Sequence, residues 1–328
     1  TLVAWHDGVE HYMTSFTYEG NEKNVGWIVP LPAVPDKIQA GGAWTLQRLS
    51  IETHPIVLTN GAIFAAAAPS ASQAQVLQQV QIEALNITVL RGSGQAVLDW
   101  CASNGFVVPT DARAHLLTYA QTSPIFMAAK YDTAAARARG QQSGDGAPVL
   151  ITMHTAHPWV PLEVLALDGQ QVQADLYFLT DGPLYINDAA ATLGDSNVGS
   201  QLPGAAGFQL AFQERMTPTL YHDLSTDRNM SWVPANSWLT YLSLDAPAAA
   251  VTYDLGVTSR GVIRLAPYGT APMAIGGVAG PTWAPELPLG APQFVLALMA
   301  ALVVLGALAL GFVYYRRERG LAGVRSPR

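Results

Sequence analysis

Only one of the 328 residues is cysteine, Cys101. An internal disulfide is therefore excluded, and so are CxxC redox motifs, covalent haem attachment and a cysteine-held cluster. Cys101 lies in the apolar run AVLDWCASNGF, with no histidine beside it, and reads as a small buried hydrophobe rather than a nucleophile. Charge is also scarce: Asp, Glu, Lys and Arg make up 12% of the chain, against ~25% in an average soluble protein. Lysine occurs at Lys23, Lys37 and Lys130 alone. Without a basic stripe to lie along a phosphate backbone, nucleic acid is not an expected partner.

Signature motifs are missing too. There is no G-x-S-x-G elbow, no phosphate-binding G-x-x-x-x-G-K-[ST] loop and no dinucleotide fingerprint. GSGQA at 92–96 lacks the third glycine and reads as a helix entry. No cofactor, no metal and no catalytic residue is expected. His154 and His157 are two of seven histidines, and their spacing puts them on opposite faces of a strand. The HDGVEH run holds His6, Asp7, Glu10 and His11 across a hairpin turn. There His6 and His11 are placed to face each other, but a solvated hairpin end is the preferred reading.

What is present is unevenly distributed. The formal net charge is −7. The last 13 residues hold five of the 17 basic groups and one of the 24 acidic ones, so the rest of the chain carries −11. Just before this basic tail, Phe294 to Tyr315 is a run of 22 residues without charge. As a helix it spans about 33 Å, enough for the ~30 Å hydrocarbon core of a bilayer. Tyr314 and Tyr315 close one end, Trp283 lies outside the other, and Arg316, Arg317 and Arg319 follow at once. The positive-inside rule then orients the tail to the cytoplasm and the N-terminal body outside. This orientation implies that a signal peptide has been removed, since Leu2 to Trp5 is too short for one. Ala307 and Gly311, four apart, form a small face on which a second membrane helix can pack. Residues 280–293 carry Pro281, Pro285, Pro288 and Pro292 and read as a semi-rigid stalk.

The body, residues 1–279, reads as β-rich, with a candidate sub-boundary in the Gly/Ser/Asn-rich stretch 188–207. Asp7-Gly8 marks a hairpin between LVAWH and VEHYMTSFTY. GWIVPLPAVPD is an apolar strand placed at a sheet edge by its prolines. Short helices are expected over 44–52, 95–103 (stopped by Asn104-Gly105) and 112–121. VQIEALNITVLRG reads as one strand, and 133–147 as a polar connector. APVLITMHTA, WVPLEVLALDG, QQVQADLYFLTDG, FQLAFQERM, SWLTYLSL, AAVTYDLGV and RGVIRLAPY read as further strands. The fold class is α+β, mainly antiparallel sheet with a few short helices, plus one C-terminal transmembrane helix.

Six segments carry a family resemblance: GWIVPLPAVPD (26–36), TLQRLSIETHP (45–55), AVLDWCASNGFVVP (96–109), LLTYAQTSPIFMAAK (116–130), HPWVPLEV (157–164) and SWLTYLSLDAPAAAVTYDLGV (237–257). Their order resembles the bacterial family catalogued as domain of unknown function 2330. The resemblance implies an exported protein, often with a C-terminal membrane helix, and lends no catalytic residue. The family pattern continues the Leu-Thr pair with Arg, where this chain has Tyr241.

The functional expectation is a non-enzymatic, membrane-anchored accessory subunit. Its partners would be the lipid bilayer and other integral membrane proteins, as in a respiratory or photosynthetic complex. Trp27, Trp159, Trp232 and Trp238 are expected mainly in the core. The alternative is an envelope ligand- or glycan-binding module or hydrolase, for which Glu214, Asp223 and Asp227 are the candidate acids.

Overall fold

The computed structural model describes residues 1–15, 26–54, 74–140, 146–167 and 169–267. The stalk, the apolar run and the basic tail lie outside these. So do Trp283, Ala307, Gly311, Tyr314, Tyr315, Arg316, Arg317 and Arg319. Among the described residues no helix is long and apolar enough to cross a membrane.

The chain opens with β1 (Leu2–His6) and β2 (Val9–Thr14). Asp7 and Gly8 both take positive φ, 48° and 79°. That is the geometry whose twist matches a tight hairpin, and it suits an Asp-Gly pair. Then come β3 (Gly26–Leu31), β4 (Lys37–Ala40), α1 (Thr45–Thr53), β5 (Gln75–Ile82) and β6 (Leu85–Arg91). The middle holds α2 (Gly94–Ser103), α3 (Thr110–Thr122), β7 (Ile125–Tyr131), α4 (Thr133–Ala138), β8 (Val149–His154) and β9 (Trp159–Val160). The last part holds β10 (Gln171–Thr180), α5 (Asp188–Leu193), β11 (Phe208–Arg215), α6 (Pro218–Thr226), β12 (Trp238–Pro247), β13 (Tyr253–Val257) and β14 (Ile263–Pro267).

Three sheets result. One has seven strands in the order β11-β12-β10-β1-β2-β8-β4, one has β14-β13-β9, and one has β3-β7-β6-β5. The ladders are antiparallel except β1 with β10, which runs parallel. The architecture is thus mixed α and β with mainly antiparallel sheet. Strand β3 is an edge, where the missing N–H of Pro30 costs no ladder bond.

Both faces of the large sheet are buried, and alternation sorts the side chains between them. Tyr12, Phe178 and Leu242 point into a core shared with Ile87, Val89 and Met127 of the four-stranded sheet and Leu255 of the small one. Met13, Tyr177, Leu179 and Tyr241 point the other way, onto Leu49 of α1 and Leu220 and Leu224 of α6. Helices α2 and α3 pack on each other, and α3 reaches β3 and the 3-10 turn Glu163–Leu165.

The short helices start where side chains supply caps. Ser93 accepts from the Ala96 N–H ahead of α2, which ends at Gly105 with φ 71°. Asp132 accepts from Ala134 and Ala135 and starts α4 inside the segment read as a polar connector. Asn187 accepts from Ala190, and Gly194 (φ 72°) ends α5 inside the Gly/Ser/Asn-rich stretch 188–207. Thr217 caps α6 with Pro218 behind it, a helix the sequence reading passed over. WVPLEVLALDG keeps only the two residues of β9 as strand, because Pro161 stops the ladder and a 3-10 turn follows. VQIEALNITVLRG is not one strand. It is the end of β5, a two-residue turn at Glu83-Ala84, and β6. Glu83 takes φ 52°, a conformation that favours glycine, so the turn leaves no glycine signal.

Candidate functional site

Charged side chains inside a β core need partners or must shed their charge. Among the described residues three acids are sealed in the space between the sheets: Glu10 on β2, Glu163 on the 3-10 turn and Asp254 on β13. Their exposures are 0%, 8% and 0%. Glu10 follows from strand alternation, since it shares a face with Tyr12. Asp254 is carried inward by a strand whose five residues are all buried.

Asp254 Oδ1 accepts from the Tyr119 hydroxyl of α3 and from the backbone N–H groups of Leu162 (2.9 Å) and Glu163 (3.2 Å). The Tyr119 ring meets Trp159 edge-on at 6.2 Å. The Trp159 backbone N–H donates to the Glu10 carboxyl, whose Oε2 also accepts from Thr155 Oγ1 at 2.8 Å. His115 Nδ1 of α3 lies 3.8 Å from Glu163 Oε1. One oxygen of each acid (Glu10 Oε1, Glu163 Oε2, Asp254 Oδ2) is buried with no hydrogen-bond partner.

Burial dominates the electrostatics. It pushes Asp254 up to about 7 against the hydrogen bonds from Tyr119, Glu163 and Leu162. It pushes Glu163 up to about 7, with the Asp254 charge adding to the shift. It pushes Glu10 up to about 8. Tyr119 is raised by burial and then by its acidic neighbours, and Tyr12 likewise. The cluster is therefore a set of carboxyls that exchange protons between mildly acidic and mildly alkaline pH. It is walled from solvent, so its chemistry is internal: proton uptake and the holding together of β2, β9, β13 and α3.

The acids singled out from sequence do not converge. Glu214 is exposed on β11. Asp223 accepts from Arg48 Nε at 2.9 Å, and Arg48 also binds Glu52. Asp227 is buried, its oxygens filled by the backbone N–H groups of Ala43, Trp44, Thr45 and Arg228 and by the Thr45 hydroxyl. The HDGVEH run separates as well. The two-residue turn pairs His6 with Val9 and Ala4 with His11, so the two histidines do not face each other. His6 binds Asp181 at 2.7 Å, whereas His11 stacks on Trp232 at 3.8 Å and is pushed down to about 4 by burial. Among the described residues no group of three or more His, Cys, Asp or Glu is placed to hold a metal. Cys101 is buried, and burial pushes its thiol up to about 12, away from nucleophile chemistry. Trp159 is a core residue at 1% exposure, while Trp27, Trp232 and Trp238 are partly buried.

Glu163, Tyr119 and Asp254 escaped the sequence reading. The signal for Asp254 was an acid inside the apolar run AAVTYDLGV, and for Glu163 an acid inside WVPLEVL.

The described body is an α+β protein of mainly antiparallel sheet around a sealed acid cluster. A family model described as "Uncharacterized protein conserved in bacteria (DUF2330)" matches residues 1–199, more than half of the chain, and the protein belongs to that family. No curated protein matches it by sequence. Among solved structures it is similar to a mutated baculovirus P35 after caspase cleavage, at TM-score 0.33 and 6% identity, covering 82% of this chain and 93% of that one. A chain of the caspase-8/P35 complex gives TM-score 0.32 and 7% identity over 82% and 90%. Likeness this distant carries no argument about fold or activity.

Proposed function

We propose that the chain is a membrane-anchored extracytoplasmic module that serves a larger membrane complex as an accessory subunit. The observation that carries this reading is the uncharged run Phe294–Tyr315 with Arg316, Arg317 and Arg319 at its end. The proline-rich stretch 280–293 would hold the body off the bilayer, and Ala307 and Gly311 would seat the helix against a partner helix. The competing reading, a glycan-binding module or hydrolase, rested on Glu214, Asp223 and Asp227. Asp223 is held by Arg48, and Asp227 by the start of α1.

The test is affinity purification of the full chain from its native membrane in mild detergent. A stoichiometric set of integral membrane proteins should co-purify, and Gly311→Leu should reduce their recovery at least fivefold. A chain recovered alone in several detergents would overturn the accessory role.

A further inference from the structure

The two faces of the small sheet differ in chemistry. In the antiparallel pair of β9 and β13, Val160 stands opposite Leu255 and Trp159 opposite Gly256. Residues directly opposite share a face, and Val160 and Leu255 belong to the main apolar core. Trp159 and Gly256 turn the other way, and Asp254, two residues before Gly256, turns with them. Helix α3 packs on that side: the Tyr119 hydroxyl donates to Asp254 Oδ1, and its ring meets Trp159 edge-on at 6.2 Å. The 3-10 turn closes it, with the Leu162 and Glu163 N–H groups donating to the same oxygen.

Three polar atoms on this side are buried without a hydrogen-bond partner: Trp159 Nε1, Asp254 Oδ2 and Glu163 Oε2. Their residues are exposed by only 1%, 0% and 8%, so bulk solvent does not meet them. Buried polar groups in folded proteins are paired, with protein or with ordered water. Trp159 and Asp254 are diagonal neighbours across the two strands, about 7–8 Å apart, which lies within reach of side chains of this length. Gly256 places no side chain between them. Glu163 is joined to Asp254 through its N–H and feels the Asp254 charge.

The donor and acceptor inventory decides what can meet all three. The indole N–H only donates, so the ligand must offer a lone pair. An ionised carboxylate only accepts, so the ligand must also offer protons, one to each acid. A metal cation offers no lone pair to the indole, and among the described residues no group of His, Cys, Asp or Glu is placed to hold one. A halide offers no proton. Water has two protons and two lone pairs, and a buried water makes about three hydrogen bonds.

We infer that the space beside Gly256, against α3, is an internal hydration site for one water, which accepts from Trp159 Nε1–H and donates to Asp254 Oδ2 and Glu163 Oε2. It joins β9, β13 and the 3-10 turn through one oxygen of Asp254, as Tyr119 joins α3 to them through the other. When either acid is protonated its hydroxyl donates and the water accepts with its second lone pair, so the site is used in both states. The inference goes beyond the anchor reading and does not rest on it.

The experiment is proton NMR of the full chain in detergent micelles, deuterated and 15N-labelled at tryptophan. The Trp159 indole signal is identified by its loss in Trp159→Phe. Its N–H should show a nuclear Overhauser effect to water, of the sign that marks long residence. Protons that exchange with solvent can relay such an effect, and those of the Tyr119 hydroxyl and the acids are near. The effect should therefore survive Tyr119→Phe, and should survive at pH 8, above the values of about 7 to which burial raises both acids. Gly256→Ala puts a methyl group into the space. It should abolish the effect and move the Trp159 signal upfield, while the other tryptophan signals keep their positions and report an intact fold. No effect from water on the Trp159 indole of the natural chain would overturn the proposal. So would an effect that vanishes in Tyr119→Phe or at pH 8, or one unchanged in Gly256→Ala.

Discussion

Asp227, just past the end of α6, caps a helix to which it does not belong: its Oδ2 accepts from the Thr45 N–H at 2.9 Å and from the Thr45 hydroxyl at 2.7 Å. Helix α1 has no cap of its own, since Trp44 precedes it and makes no side-chain bond to it. The orphan donors at its first turn are answered from 182 residues away. Gly42 makes room for this: a Cβ there would lie 2.2 Å from Thr45 Oγ1 and 2.4 Å from Asp227 Oδ2. Burial by itself would raise the Asp227 pKa, but the bonds from Thr45, Trp44, Ala43 and Arg228 outweigh it and hold it below the usual value.

Asp227→Ala should therefore cost about 3 kcal/mol, since it removes charge-assisted bonds and strands several N–H groups. Denaturant unfolding measures it. Because the folded value is depressed, this contribution is present above the unfolded pKa near 4 and is lost as pH falls through the folded one. The penalty of the substitution should shrink accordingly at low pH.

The sealed acids act in the opposite sense. Asp254, Glu163 and Glu10 are raised, so their contribution is fully present below the unfolded values near 4. It is lost as pH rises through about 7 for the first two and about 8 for Glu10. The body should be less stable at pH 9 than at pH 5, with all three groups contributing in the same direction. Glu10→Gln keeps the shape and removes the titration, and should flatten the alkaline part of that curve. Unfolding midpoints at pH 5, 7 and 9 for both chains check this.

Tyr119→Phe removes the hydroxyl that serves Asp254 and leaves two backbone donors on that carboxyl. The loss should be about 2 kcal/mol at pH 8, where Asp254 is ionised in the natural chain, and smaller at pH 5. A loss independent of pH would show that the hydroxyl serves the neutral and the ionised carboxyl alike.

Much of the fold was legible because local chemistry and pattern agreed. Asp7-Gly8 and Asn104-Gly105 are turn and stop signals that any reader of sequence meets first, and both are used. What escaped depended on residues acting against their usual preference or at a distance. Glu83 makes a hairpin turn with positive φ and no glycine. Helix α6 was signalled by Thr217-Pro218 but hidden in a polar stretch. The acid cluster joins strands and a helix far apart in the chain, and nothing in the spacing of Glu10, Tyr119 and Asp254 shows that the fold brings them together. Asp227 stands in the sequence as a candidate acid of a ligand site, and its partner Thr45 is beyond the reach of periodicity.

The proposed anchor puts the body outside the membrane and the basic tail inside it. The most direct measurement is protease treatment of sealed, right-side-out membrane vesicles carrying the full chain with a C-terminal epitope. The body should be digested while an epitope-bearing fragment of the membrane run and tail survives until detergent is added, and alkaline carbonate should not extract the chain. An epitope cut in intact vesicles, or a chain released by carbonate, would contradict it.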